Sequence, residues 1–334
     1  MTDWLQQLVQ QSTQTDQTVI SSGDFFALQD HLGHISFSGD DAAHFLHNQI
    51  TNDVEHIGTN RARLAGYCSP KGRLLASLLV WRDTESIIVQ LPRELLAGIQ
   101  KRLQMFVLRA KVKLHDVSAD TVVFGLMGDT AAVVLQRWFA TLPSTSFEKI
   151  DNTFGTLIRL PEAAGKSRWQ WCMPAATAAE VVPVLCAQLP YADASRWRLT
   201  DIQAAMPMIT AATQEKFVPQ MINFEAIGGV DFKKGCYPGQ EIVARSQYLG
   251  KLKRRMVPAS IDADVVEAGM EVFSNTDGQQ PCGMIVNTER GGDQRMHCLV
   301  EIKLAALETG SVHLGVGGPV LQFSALPYVL PDAE

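Results

Sequence analysis

Between Asp231 and Arg245 the chain reads "DFKKGCYPGQEIVAR", a cysteine between two glycines, behind two lysines and ahead of a helix start. Gly235 and Gly239 accept backbone torsions that other residues resist, so "GCYPG" predicts a tight turn. Pro238 suits the first position of a helix that "QEIVAR" continues. Cys236 then lies just outside a helix N-terminus, where unpaired N–H groups and the helix dipole favour an anion. Lys233 and Lys234 add positive charge beside it. These effects favour thiolate over thiol, so Cys236 is expected to be reactive rather than simply packed. Cys172, Cys186, Cys282 and Cys298 read as small core residues instead.

Other residues that could do chemistry give weaker signals. From Lys233 to Arg255 stand seven basic residues (Lys233, Lys234, Arg245, Lys251, Lys253, Arg254, Arg255) and one acid, Glu241. On a chain of net charge −6 that excess suggests an anionic ligand or partner: a phosphate, a polyglutamate tail or RNA. The run "GKLKRR" carries little weight alone, because basic runs are commonly solvated faces. His44 and His47 are three apart on a predicted helix near Asp40 and Asp41, but no third metal ligand is evident. Trp197 could pack or offer a flat face to a heteroaromatic ring, and composition favours packing. No nucleophile elbow, phosphate loop or dinucleotide fingerprint is present.

The elements that must position these residues follow from periodicity. A short amphipathic helix is expected from Asp3 to Val9, then a hairpin of apolar runs near 25–29 and 34–38 around "DHLG". "SGDDAAHFLHNQITNDV" predicts a helix capped by Ser38 or Asp40. Two strands around a Pro-Lys-Gly turn and a third in "ESIIVQL" precede a helix opened by proline, "PRELLAGIQKRLQMFVL". Strands "KVKLHDV" and "TVVFGLMG", the helix "DTAAVVLQRWFATL", strands near 154–160 and 168–173, and a helix at 175–188 come next. This order lacks a strict βαβ rhythm and favours α+β with antiparallel sheets. After about residue 250 short strands alternate with turns, no helix is convincing, and a small β-barrel or sandwich is expected.

Composition narrows the functional classes. The chain of 334 residues is long enough for two or three domains, and 46% hydrophobic with 19% charged residues is ordinary for a globular protein. The negative charge argues against broad nucleic-acid binding. No Lys or Arg precedes Arg61, so no basic leader is recognisable, and "LLASLLVW" at 74–81 is too short to span a bilayer. Six scattered cysteines make neither a disulfide framework nor a zinc site, which suits a reducing cytoplasm.

The segment "FVPQMINFEAIGGVDFKKGCYPGQEIVARSQYLGKLKRR" resembles the signature of the YgfZ family, folate-binding proteins related to the glycine-cleavage T-protein (aminomethyltransferase). The pattern K-G-C-Y-x-G-Q-E stands here as Lys234-Gly235-Cys236-Tyr237-Pro238-Gly239-Gln240-Glu241. Further matches, "FLHNQITNDV" at 45–54, "YCSPKGRLL" at 67–75 and the tryptophan segment at 197–207, extend the resemblance over nearly the whole chain. It implies an α+β fold, a three-domain T-protein-like cloverleaf of antiparallel sheets plus helices with a C-terminal β-barrel. The folate-binding core would be 19–120 with 195–250, the second domain 121–194 and the barrel 251–330. The implied cofactor is tetrahydrofolate or a folate derivative. The implied role is assembly or repair of iron–sulfur enzymes, including those that thiolate tRNA. Lys234 and Cys236 would be the functional pair, with Gly235, Tyr237, Gly239, Gln240, Glu241 and Arg245 completing the loop. Iron–sulfur enzymes or assembly factors are the implied partners in the cytoplasm, with no membrane, no resident metal and no direct tRNA binding.

Three positions depart from that pattern. Trp197 matches the family's second folate-contacting tryptophan, whereas the first falls at Leu32 and loses its stacking contact. The glutamate that faces the pterin in relatives is Gln203, and an amide offers one acceptor where a carboxylate accepts from two N–H groups. The Asp pair of aminomethyltransferases is replaced by Ala76 and Ser77, which leaves no carboxylate to steer a proton. The alternative, a folate-dependent aminomethyl- or methyltransferase, is disfavoured on that ground. A pure RNA-binding module working through Lys251–Arg255 is opposed by the overall acidity.

Overall fold

The computed structural model describes residues 3–14, 23–248, 252–276, 280–308 and 310–331. Helix α1 (Asp3–Gln14) precedes strands β1 (Phe25–Leu28) and β2 (Leu32–Ser38) and a short helix α2 (Ala42–His47). Next come β3 (Ala62–Cys68), β4 (Leu74–Arg82), β5 (Ile87–Pro92), α3 (Arg93–Val107), β6 (Lys113–Asp116), β7 (Thr121–Met127) and α4 (Asp129–Leu135). Strands β8 (Lys149–Asn152), β9 (Gly155–Ala163) and β10 (Lys166–Pro174) lead to α5 (Ala175–Gln188), β11 (Tyr191–Ala192) and α6 (Ala194–Gln203). After a 3-10 turn at Pro219–Ile222 come α7 (Gln240–Tyr248), β12 (Arg254–Ile261), β13 (Glu271–Ser274), β14 (Pro281–Arg290), β15 (Met296–Lys303), α8 (Leu304–Glu308), β16 (Val312–Leu314) and β17 (Leu321–Phe323).

These strands form three sheets, ordered β3-β4-β5-β2-β6, β11-β1-β7-β10-β9-β8 and β16-β13-β14-β15-β12-β17. Every pairing is antiparallel except β1 with β11. In the C-terminal sheet the edge strands β16 and β17 lie against each other, so it nearly closes on itself as a barrel. The expected α+β class with antiparallel sheets and a barrel-like C-terminus is therefore what the chain adopts.

The expected hairpin near 25–38 does not form. Strand β1 pairs with β7 and β11, while β2 pairs with β5 and β6 in a different sheet. Phe25, Phe26 and Ala27 are all buried, which demands covered faces and flanking strands that a lone hairpin cannot supply. The residues between the two strands thus carry the chain from one sheet to the next, and they set His31 and Leu32 at the junction. Three smaller expectations are also corrected. Neither Ser38 nor Asp40 caps α2; Asp41 is the N-cap residue, and its carboxylate accepts from Lys111 N–H instead. The predicted helix after β7 ends at Leu135, and a short helix, α8, follows β15.

Helix α6 is the pillar between sheets. Asp193 caps it by accepting from Arg196 N–H at 3.2 Å. Its Arg198 pairs with Glu289 of β14, and its Asp201 with the fully buried Arg168 of β10 at 2.7 Å. Across the other junction, buried Gln90 of β5 and Gln170 of β10 exchange amide hydrogen bonds at 2.8 and 3.1 Å. No helix among the described residues is long and apolar enough to cross a membrane.

Candidate functional site

The signature loop is built on the segment 50–54. Thr51 accepts from Asp231 N–H through its carbonyl and donates its hydroxyl to Gly229 O, while Asn52 Nδ2 donates to Gly228 O. Asp231 then accepts from Lys233 N–H at 2.8 Å and starts the turn. Gly239 has φ +82°, and a Cβ there would lie 2.5 Å from Ser69 O and 2.6 Å from Gly72 N. The turn at 69–72 therefore packs directly on the loop, and only glycine fits at position 239. Gln240 opens α7, Val243 is buried beneath it, and Glu241 and Arg245 face solvent.

Cys236 is the one exposed cysteine of the six. Burial pushes the thiols of Cys68 and Cys172 up to about 12, and those of Cys186 and Cys298 up to about 11. Those thiols are held as neutral S–H groups at physiological pH.

Lys234 sits two residues before Cys236, half-buried, and its ammonium donates to His47 O at 2.6 Å and Ile50 O at 3.0 Å. The same nitrogen lies 4.8 Å from the ring centre of Tyr237, a cation–π contact. Burial pulls Lys234 down to about 8, against the opposing charges of Asp231 and Asp53. Such a lysine can act as an ammonium or, slightly above neutral pH, as a base.

His47 is buried with Nδ1 3.1 Å from Asp53 Oδ1, and its Nε2 is the nearest atom, at 3.7 Å, to a Cβ built on Gly235. Burial pushes Asp53 up, but hydrogen bonds from His56 and the charges of His56 and Arg63 outweigh it and hold the carboxyl below its ordinary range. An ionised Asp53 only accepts, so Nδ1 carries a proton and donates to it, and Nε2 is the ring nitrogen nearest the loop. The Val54 N–H is 3.5 Å from the same Nδ1, too long to compete. His44 turns to Glu55 instead, so the two histidines do not converge on a shared ion. Among the described residues no cluster of His, Cys, Asp and Glu could hold a metal.

Among the described residues, two members of the basic run are neutralised by acids. Arg255 is buried and paired with Glu225, and Arg254 is paired with Glu301. Lys253 is exposed, and Lys251 lies outside the described residues.

Where the three sheets meet are two adjoining cavities. The outer, about 730 Å³, is lined by α6, the start of α3, and residues 266–268 and 287–289 of the barrel. The inner, about 90 Å³, is walled by Leu32, Ser77, Gln90, Gln170, Trp197 and neighbours. His31, Pro92, Asp201, Met206 and Met208 line both. Trp197 is 2% exposed, with Gly125 against its six-membered ring and the Arg168 guanidinium 5.2 Å from its centre. Of the two positions where aminomethyltransferases carry acids, only Ser77 lines the cavity, and its Oγ accepts from Ile209 N–H at 2.9 Å.

The structure thus brings Trp197 and Leu32 to one cavity wall and leaves half-buried Gln203 outside both linings. Neither Lys234 nor Cys236 lines either cavity. Sequence reasoning did not single out His31. Both of its ring nitrogens are shielded from water and lack a hydrogen-bond partner, and burial with the Arg198 charge pulls it down to about 4. No spacing rule marks such a residue, because its neighbours come from elements far apart in sequence.

Residues 7–160 match the model of the GCVT N-terminal domain. The aminomethyltransferase T of the glycine cleavage system from Bartonella henselae superposes with a TM-score of 0.66 at 16% identity, over 98% of this chain and 90% of that one. The fold is therefore that of the glycine-cleavage T-proteins. The tRNA-modifying protein YgfZ of Colwellia psychrerythraea is 33% identical over 226 residues, 67% of this chain and 68% of the relative. That of Yersinia pseudotuberculosis is 30% identical over 71% of each chain, and that of Cronobacter sakazakii 28% identical over 89% of this chain and 91% of its own. The chain belongs to the YgfZ family.

Proposed function

We propose that this protein is a cytoplasmic folate-binding accessory factor that supports assembly or repair of iron–sulfur enzymes, among them enzymes that thiolate tRNA. Family membership and the tRNA-modifying name carried by its relatives support this reading. The observation that carries it is the pairing of an exposed Cys236, beside the half-buried Lys234 ammonium, with a separate chamber of ligand size. A thiol outside the chamber is accessible to a macromolecular partner, which suits an accessory factor better than an enzyme acting on the chamber's contents.

The chamber fits a folate. The outer cavity's volume lies in the range of small-molecule sites, its walls mix Met206 and Met208 with polar groups, Trp197 walls the adjoining small cavity, and the unpartnered imidazole of His31 lines both. Folate would supply a one-carbon carrier. Leu32 and Trp197 would wall its ring, His31 would offer a polar contact, and the sheets around the chamber would exclude bulk water. In this reading 19–120 with 195–250 form the folate-binding unit, 121–194 the second domain and 251–330 the barrel.

Ser77 at the cavity wall weighs against an aminomethyltransferase, because a hydroxyl does not take up a proton as a carboxylate does. The test is calorimetric titration of 5-formyltetrahydrofolate into wild type and Trp197→Ala. Wild type is expected to bind, and the variant to lose at least about tenfold in affinity through the lost wall. Absence of binding by wild type would remove folate from the account.

A further inference from the structure

We propose that His31 is the residue that reads the edge of the bound ring, and that the chamber recognises this ring rather than an anionic tail. The inference rests on the folate reading above and specifies which part of the ligand is recognised.

The first observation is the orphaned imidazole. His31 lies in the crossover between β1 and β2, lines both cavities, and has neither ring nitrogen paired. Buried polar groups are nearly always hydrogen-bonded, so an unpaired one at the junction of two cavities calls for a ligand. The backbone around it is fixed: Arg93 N–H donates to His31 O at 2.8 Å, and Arg93 Nε donates to Leu32 O at 3.3 Å. A half-turn about χ2 exchanges each ring nitrogen with a carbon, so the ring can present either edge to a guest. Kept neutral by burial and by Arg198, it offers one N–H donor and one lone pair. One ring nitrogen turned to the cavity can make a single hydrogen bond, as donor to a C=O or as acceptor from an N–H on the edge of a pterin ring. The same neutrality gives it no preference for a carboxylate.

The second observation is the charge of the outer chamber. Its charged lining residues are Arg93 and Arg198 against Glu94, Asp201, Glu267 and Glu289. Arg198 is committed to Glu289, and Asp201 to Arg168, so the remaining charged lining residues are one cation, Arg93, and two acids, Glu94 and Glu267. An anionic chain therefore meets no net positive field, and extra glutamyl units gain nothing from this wall.

The experiment titrates 5-formyltetrahydrofolate as monoglutamate and as pentaglutamate into wild type, His31→Leu and His31→Gln, with the melting temperature of each ligand-free protein measured alongside. His31→Leu is expected to weaken binding by about ten- to a hundredfold while leaving the ligand-free melting temperature equal or higher, because it removes an unpaired buried polar group. A merely structural histidine would give the opposite pattern, lower stability with affinity unchanged. His31→Gln keeps a donor and an acceptor and is expected to bind within about tenfold of wild type. The two folates are expected to bind wild type within about threefold of each other.

Wild-type binding with full affinity retained in His31→Leu would overturn the assignment of His31 while leaving the folate reading intact. Pentaglutamate binding about tenfold or more tighter than monoglutamate would overturn the ring-only recognition. No binding of either form by wild type would overturn this inference together with the folate reading.

Discussion

Replacing Lys234 with methionine separates the electrostatics of the signature loop from its shape. The Lys234 ammonium has a folded-state value of about 8 against an ordinary 10.5, so its charged form is disfavoured in the native protein. Burial is the leading cause, and it outweighs the nearby carboxylates of Asp231, Asp53 and Glu55. With a folded value below the unfolded one, the unfolded chain binds more protons between pH 8 and 10.5. Stability contributed by this group therefore rises with pH across that window. From pH 7.5 to 9.5 the linkage amounts to about 2 kcal/mol for a fully buried lysine, and about 1 kcal/mol after discounting for the water that reaches a half-exposed side chain. The variant loses two charge-assisted hydrogen bonds but also the cost of burying the charge, so its stability at pH 7.5 should stay within about 1–2 kcal/mol of wild type. The assay is urea unfolding followed by tryptophan fluorescence at both pH values. The expected result is a gain of about 1 kcal/mol in wild type over the gain in Lys234→Met. Equal pH slopes in the two proteins would refute the claim that Lys234 is held as a destabilised ammonium.

Other consequences are as specific. His34 is buried against Gln90 and pulled down to about 4, chiefly by burial, so stability falls as pH drops from 6.5 towards 4. Between pH 7 and 5 its share is about 2 kcal/mol, and His34→Gln should flatten the urea-unfolding profile by that amount. Gly239→Ala would force a Cβ against Ser69 and Gly72 at φ +82°, and a loss of about 2–4 kcal/mol is expected in thermal unfolding, with faster proteolysis at the loop. Arg255→Ala strands Glu225, which is 2% exposed, and should cost about 3–5 kcal/mol in urea unfolding. The same substitution at a solvated RNA contact would cost almost nothing.

The signature loop was legible because its requirements are local. Glycine at a positive φ, an Asx turn at Asp231 and the start of α7 within four residues of Cys236 are all written in consecutive residues. Strand and helix periodicity likewise located α3 and α5 and the β3–β5 meander. The failures share one cause, which is partner choice at long range. Phe25–Leu28 and Leu32–Ser38 have the pattern of a hairpin, yet the two are largely buried and pair in separate sheets, the first with Met127 and Tyr191 among its partners and the second with Val89 and Leu114. Arg254 and Arg255 look like part of a basic patch until Glu301 and Glu225 are folded against them. The chamber was the least legible feature, since His31, Ser77, Trp197 and Glu289 each sit on a different element. The resemblance located Trp197 and Ser77, but only the packing of α6 between sheets reveals His31 and excludes Gln203 from the walls.

We propose that the exposed thiol of the signature loop is the working group of an accessory factor for iron–sulfur enzymes. The most direct test is complementation of a strain lacking its YgfZ-family gene, with thiolated tRNA nucleosides quantified by mass spectrometry. Wild type and Cys172→Ser, which alters only a buried thiol, are expected to restore them, and Cys236→Ser at equal protein level is expected to leave them at the deletion value. Full restoration by Cys236→Ser would show that the Cys236 thiol is dispensable for tRNA thiolation.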